Sequence, residues 1–390
     1  MAALILASCS NTHTAGSLRK QITPTTRSAS KVVTSTTTAP LSPTTTTTLP
    51  GSPIIEGLTW ISDHQGWALT VPSDCNLEKG CASNILATLN GGTSWNQVGI
   101  IPDGPQTLPV RDIRFANPRD GYAFNPDLYV TTDGGHTWTP ETGPNVVSLE
   151  VQGPNVVRIS STSSGCPGPC GITVERAPIG STSWSVLYSY PKDTEAGAVE
   201  LVAQGSDDLY VVTYENPAGG AQNEQSLWLI SHNGGATWHT RSDPCGYSGT
   251  TENDTVGLAA APGDVVAVLC APRLTGTSFV KVSGDGGLNF GSPSLLPTNA
   301  GFKLIGATSG QDIFVAGSPG AGNPSVLAAS HNGGASWQVV ASGSVINPVM
   351  EYGYAGFLGF ESPAVGRWVG NPQVIWTTYD GGYTWVSAPS

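Results

Sequence analysis

Acidic residues at the head of glycine turns are the first candidates for chemistry in this sequence. Asp133, Asp285 and Asp380 each open an Asp-Gly-Gly turn, closed five positions later by Trp138, Phe290 and Trp385. A carboxylate presented on a glycine loop can ligate Ca²⁺ or move a proton as general acid or base. Asn90, Asn233 and Asn332 hold the same position in three further copies, closed by Trp95, Trp238 and Trp337. Asparagine keeps the acceptor oxygen and loses the charge, which makes it a poor replacement for a metal ligand or a proton carrier. The spaced acidic ligands of a calcium loop are also missing. These positions therefore read as structural turns. The Asx side chain is expected to accept hydrogen bonds from backbone amides two residues on, the glycines to take positive φ, and the aromatic ring to fill the space beneath the sheet. No metal and no cofactor is expected.

Other catalytic signatures are scarce. The sequence holds no G-x-S-x-G elbow, no H-E-x-x-H and no Walker A loop. Its histidines form no i, i+4 pair, and His232 and His331 fall inside turns of different copies. Arg111, Arg241 and Arg273 lie where loops can carry them to a ligand-bearing face, as a clamp for a carboxylate; they read more readily as solvated loop charges. Trp60, Trp67, Trp228, Trp368 and Trp376 lie outside the turns. Exposed, they would stack on sugars; in strand contexts such as LWLI and VIWTT they would pack inside the fold.

The turns recur, and their period defines the elements that position them. A seventh, degenerate copy runs from Ile179 to Trp184, and the aromatic anchors stand 43, 46, 54, 52, 47 and 48 residues apart. Before each turn come three short runs rich in Val, Leu, Ile and aromatics, such as LTWIS, GWALT and NILATL, and one run follows it. Runs of this kind separated by Gly, Asp, Asn and Pro are short antiparallel strands. No apolar period of 3.6 residues persists, so no substantial helix is expected. A repeat of about 40–50 residues carrying four short strands is one blade of a β-propeller. The expected fold is all-β: a seven-bladed propeller of four-stranded antiparallel blades over residues 54–390.

In the form S/T-x-D-x-G-x-T-W the turn resembles the Asp-box (BNR) repeat. The strand at Gly66-Trp67-Ala68 resembles the propeller family of photosystem II stability and assembly factors. That resemblance implies a non-catalytic binding propeller that helps a membrane complex mature or stay assembled. Asp boxes also occur in sialidases, other glycoside hydrolases and sorting-receptor ectodomains, so a glycoside hydrolase and a polysaccharide-binding module remain the alternatives. The arginine-bearing F/Y-R-I-P strand that precedes the first box of sialidases is missing; the chain reads PIIEGLTWIS there.

Residues 1–9 end in Leu6-Ala7-Ser8-Cys9, which resembles a bacterial lipobox with Cys9 as the lipid attachment site, although no Lys or Arg precedes it. Residues 10–53 are rich in Thr, Ser and Pro and read as a disordered stalk. All 28 acidic residues follow that stalk, leaving 12 basic residues among them, so the propeller carries a net charge of −16. Such a charge argues against nucleic acid as a partner. A protein client in the cell envelope, with the membrane reached through the lipid, is the expected partner; the expected location is the outer side of the cytoplasmic membrane, with secretion as the alternative. In an exported chain the remaining cysteines are expected to pair locally, Cys75 with Cys81, Cys166 with Cys170 and Cys245 with Cys270.

Overall fold

Runs of β-branched and aromatic residues punctuated by glycine form strands because their side chains pack on a pleated surface while the glycines turn the chain. In the computed structural model this gives seven antiparallel sheets, each built from one contiguous segment in simple up-and-down order. The structure describes residues 53–73, 81–102, 109–161, 171–190, 196–215, 227–248, 251–272, 276–297, 301–317, 323–345, 356–371 and 373–389. The lipobox, the stalk and the Cys166–Cys170 pair lie outside the described residues. Blades 1 to 7 occupy 54–101, 112–141, 145–190, 196–242, 247–295, 302–345 and 357–389. Six have four strands; blade 5 gains a short extra inner strand, Tyr247–Ser248. No helix among the described residues is long and apolar enough to cross a membrane.

Strand alternation sends successive side chains to opposite faces of a blade, so each blade offers an apolar face to both neighbours. Seven apolar clusters result, one at each blade–blade seam. Fully burying one Leu, Ile or Val stabilises by about 1.5–3 kcal/mol, so these seams are the core of the molecule. The long inner strands touch their successors around the axis. Backbone-to-hydroxyl bonds join some of them: Phe115 N donates to Thr59 Oγ1 (3.2 Å), and Leu201 N to Ser148 Oγ (3.2 Å).

The turns link the third and fourth strands of each blade, and their chemistry corrects one expectation. The Asx oxygen accepts from the amide four residues on, not two: Thr137 N donates to Asp133 Oδ1 at 2.9 Å, and Ser94 N to Asn90 Oδ1 at 2.9 Å. A Ser or Thr two residues upstream completes the turn, as where Gly135 N donates to Thr131 Oγ1 (3.0 Å). The aromatic anchors also lie elsewhere than expected. They pack into the seam with the preceding blade rather than beneath their own sheet: Trp95 on blade 7, Trp138 on blade 1, Trp184 on blade 2, Trp238 on blade 3, Phe290 on blade 4, Trp337 on blade 5 and Trp385 on blade 6.

Polar latches reinforce the same seams. Trp67 Nε1 donates to Gly134 O (3.0 Å), Arg176 Nη1 to Gly234 O (3.0 Å) and Trp228 Nε1 to Gly287 O (3.2 Å), each reaching from one blade to the next blade's turn. Blade 7 closes the ring on blade 1 without exchanging a strand. Arg367, fully buried, donates from Nη2 to Asp63 O (3.3 Å) and Gly91 O (3.4 Å) and lies 4.3 Å from the Trp60 ring centre. Cys245, in the connection that enters blade 5, and Cys270, in its strand Val265–Pro272, form a disulfide with Cα atoms 5.4 Å apart. Cys81 is also disulfide-bonded, and Cys75 lies outside the described residues.

Candidate functional site on the inner strands

Inner strands of a propeller face the central axis, where an apolar residue has nothing to pack against. Charged residues placed in these otherwise apolar strands therefore mark positions that face the channel. Such charges stand on the inner strands of blades 1 to 6. Glu200, Glu252, Asp254 and Lys303 are those of blades 4 to 6. Those that meet across blades are Glu56 in Ile54–Trp60 of blade 1, Asp112 and Arg114 in Asp112–Phe115 of blade 2, and Glu150 in Asn145–Gln152 of blade 3. Arg111 directly precedes the blade 2 strand, its amide held by the carbonyls of Phe124 and Asn125 (3.1 Å each).

The charges interlock across blades. Arg114 Nη2 meets Glu150 Oε1 at 2.6 Å, and its Nε donates to Leu149 O (3.4 Å). Asn125 Nδ2 donates to Asp112 Oδ2 (3.4 Å). Glu56 has no hydrogen-bond partner among the described residues. Burial pushes its carboxyl up to about 7, Arg111 opposes that shift, and the neighbouring Asp112 charge adds to it. Burial likewise raises Asp112 against the pull of Arg114, Asn125 and Arg111, and raises Glu150 against the pull of Arg114. Perturbed titratable groups gathered on one surface are a signature of functional sites. The group can engage a charged or hydrogen-bonding ligand, and Glu56 can hold or release a proton near neutral pH.

Of the arginines singled out from sequence, only Arg111 belongs to this cluster. Arg241 is exposed on the outermost strand of blade 4, His239–Ser242, far from the axis in strand order, and Arg273 lies outside the described residues. Arg111 and Arg241 therefore lie at opposite edges of their blades in strand order. The tryptophans outside the turns offer no sugar platform: Trp67, Trp228 and Trp368 are 1–2 % exposed, and Trp60 and Trp376 are half-buried in seams. Glu56, Asp112, Arg114 and Glu150 escaped the sequence reading. The signal that could have found them was a charge inside the first strand-like run of a repeat.

The acid-headed turns hold no such cluster. Hydrogen bonds from Thr137 keep Asp133 ionised, with its carboxyl down to about 2, and those from Asn289 do the same for Asp285. Among the described residues no group of three or more His, Cys, Asp or Glu is placed to hold a metal ion.

No protein-family profile and no curated protein matches the chain. Among solved structures, an oligogalacturonate lyase from Vibrio parahaemolyticus is similar at 10 % identity over 87 % of this chain and 91 % of that one, with a TM-score of 0.53. The GH74 enzyme of Niastella koreensis is similar at 14 % identity over 85 % of this chain, with a TM-score of 0.46; the chain spans 65 % of its length. YCF48 bound to a D1 peptide is similar at 14 % identity over 90 % of this chain and 85 % of that one, with a TM-score of 0.37. At these identities the likeness is one of fold alone, and a fold does not fix an activity.

Proposed function

We propose that this chain is an Asp-box propeller that acts as a lipid-anchored, extracytoplasmic binding protein. It holds a protein client of the cell envelope on its inner-strand surface and helps a membrane complex assemble or stay assembled. The observation that carries this reading is the interlocked set Glu56, Arg111, Asp112, Arg114 and Glu150. Donors and acceptors of both signs, fixed on three rigid strands, suit the backbone and charged side chains of a protein segment. The Cys245–Cys270 disulfide supports an oxidising compartment, and Cys9 supplies the anchor. Substituting Arg114→Glu places a like charge beside Glu150 and is expected to abolish client binding while the blades stay folded. Client binding unchanged in that variant would overturn the assignment of the site. In its native membrane, Cys9→Ser is expected to release the protein from the detergent phase; unchanged partitioning would overturn the anchor.

One observation favours a second reading, an Asp-box glycoside hydrolase. A carboxyl held near 7, as Glu56 is, suits a proton donor beside a second carboxylate. Turnover of an aryl glycoside that Glu56→Gln abolishes would establish that reading in place of client binding.

A further inference from the structure

The fourth strand of blade 5 is two residues long, Ser294–Leu295, whereas the fourth strands of the other blades run from three to eight residues. The sequence explains the truncation. Pro293 and Pro297 bracket the strand and remove the amide donors that a longer ladder needs. Only Phe279 and Val280 of the third strand find partners there.

At other seams the fourth strand lies directly on the next blade's turn. Leu187 of blade 3 covers Gly235 of blade 4, and Gly99 of blade 1 abuts Gly135 of blade 2. At the seam of blades 5 and 6 the small Ser294 stands in that place, and a cavity of about 680 Å³ opens between the shortened strand and the blade 6 turn. This lies in the volume range of small-molecule sites.

The lining is chemically narrow. Trp337 supplies a half-buried indole, Ser292, Ser294 and Ser336 supply hydroxyls, and Pro293, Leu295 and Pro297 supply apolar edges; among the described residues no charged side chain lines the cavity. The indole is fixed in orientation. Its Nε1 donates to Ser294 Oγ at 2.8 Å, and Ser294 Oγ donates in turn to Gly334 O. Ser336 Oγ accepts from Asn332 Nδ2 (2.8 Å), which leaves its own O–H free to donate. Exposed Ser292 has no hydrogen-bond partner among the described residues.

We propose that this cavity is a binding subsite for a neutral glycan, with one sugar ring stacked on Trp337 and its hydroxyls bonded to Ser292 and Ser336. A pyranose presents an apolar C–H face and a rim of hydroxyls, which matches one immobilised aromatic plane beside neutral hydroxyl groups. An ionic ligand would enter without a counter-charge, at a desolvation cost the lining does not offset. A proline-rich peptide fits less well, because its recognition uses grooves between several aromatic rings. The site lies on blades 5 and 6, away from the client cluster on blades 1 to 3, so the two fail or stand independently.

The test is titration of the full oxidised chain with an array of neutral gluco- and galacto-oligosaccharides, alongside oligogalacturonate and a proline-rich peptide. Trp337→Ala removes the platform. Because Trp337 also packs in a seam, Ser292→Arg is the companion variant: it crowds and charges the cavity from an exposed position. The proposal expects saturable binding of a neutral oligosaccharide, weakened about tenfold or more by Ser292→Arg with the melting temperature unchanged. Absence of any neutral binder, equal affinity in the Ser292→Arg variant, or preferential binding of the anionic saccharide or the peptide at this cavity would each overturn it.

Discussion

Asp133 and Asn90 solve one problem with opposite hydrogen-bond polarity. Thr137 Oγ1 donates to Asp133 Oδ2 (2.6 Å), whereas Asn90 Nδ2 donates to Ser94 Oγ (2.8 Å), so the hydroxyl rotates to serve either side chain. Asp133→Asn is therefore expected to change stability by less than about 0.5 kcal/mol. Trp138→Ala, which empties part of the blade 1–2 seam and strands Gly135 O, is expected to cost about 3 kcal/mol. Denaturant titration of both variants checks this; equal, large losses would show that the carboxylate does more than hold a turn. A second residue-scale prediction concerns pH. Glu56 and Glu361 are both pushed by burial from an ordinary 4.5 up to about 7. The folded chain thus keeps protons there that the unfolded chain releases, and stability falls as pH rises from about 4.5 to 7. The low values of Asp133 and Asp285 act with the opposite sign, but only as pH falls from 3.8 towards 2. The melting temperature should be higher at pH 5 than at pH 8, and Glu361→Gln should shrink that difference. An unaltered difference in the variant would contradict the burial of this carboxyl. The turns were legible because one residue type repeats at one spacing. The charge cluster was not, because its members are spread over three repeats, and only the packing of one blade's inner strand beside the next brings Arg114 to Glu150.

At the scale of the element, each turn is half of a seam. Gly382 takes a φ of +89°, and a Cβ there would collide with the Phe314 ring of blade 6, whereas Gly205 has a φ of +63° and open space around it. Gly205→Ala should cost about 1–2 kcal/mol, the left-handed penalty alone, and Gly382→Ala clearly more. Similar losses for the two, measured by denaturant unfolding, would mean the blade 7 turn does not press on blade 6. Strand order and blade number were readable from the 43- to 54-residue period. The partner of each anchor was not, since local sequence gives Trp138 its turn but not the neighbouring blade's Trp67, which stacks on Phe115 (3.8 Å) beside it. The same limit hid the short fourth strand of blade 5, which is a matter of where pairing stops.

For the whole molecule, closure rests on Arg367. Its guanidinium joins the Trp60 ring, two blade 1 carbonyls and the buried Glu361, whose Oε1 lies 3.8 Å from Arg367 Nε. Removing the guanidinium leaves Asp63 O and Gly91 O without their donor, at about 1–3 kcal/mol for each buried group left unsatisfied, so Arg367→Ala should open the blade 7–1 seam first, visible as early hydrogen exchange at Gly57–Trp60 and Gly366–Val369. Uniform loss of protection across all blades would argue against a seam-centred closure. The central claim is that a protein client occupies the inner-strand surface of blades 1 to 3. A photo-crosslinking amino acid placed at Arg111, compared with one at exposed Val186 on the rim of blade 3, tests it in membrane extracts. The account predicts one discrete adduct from the Arg111 position, absent from the Val186 position and lost when Arg114→Glu is added. Adducts that are identical from both positions, or that persist with Arg114→Glu, would contradict it.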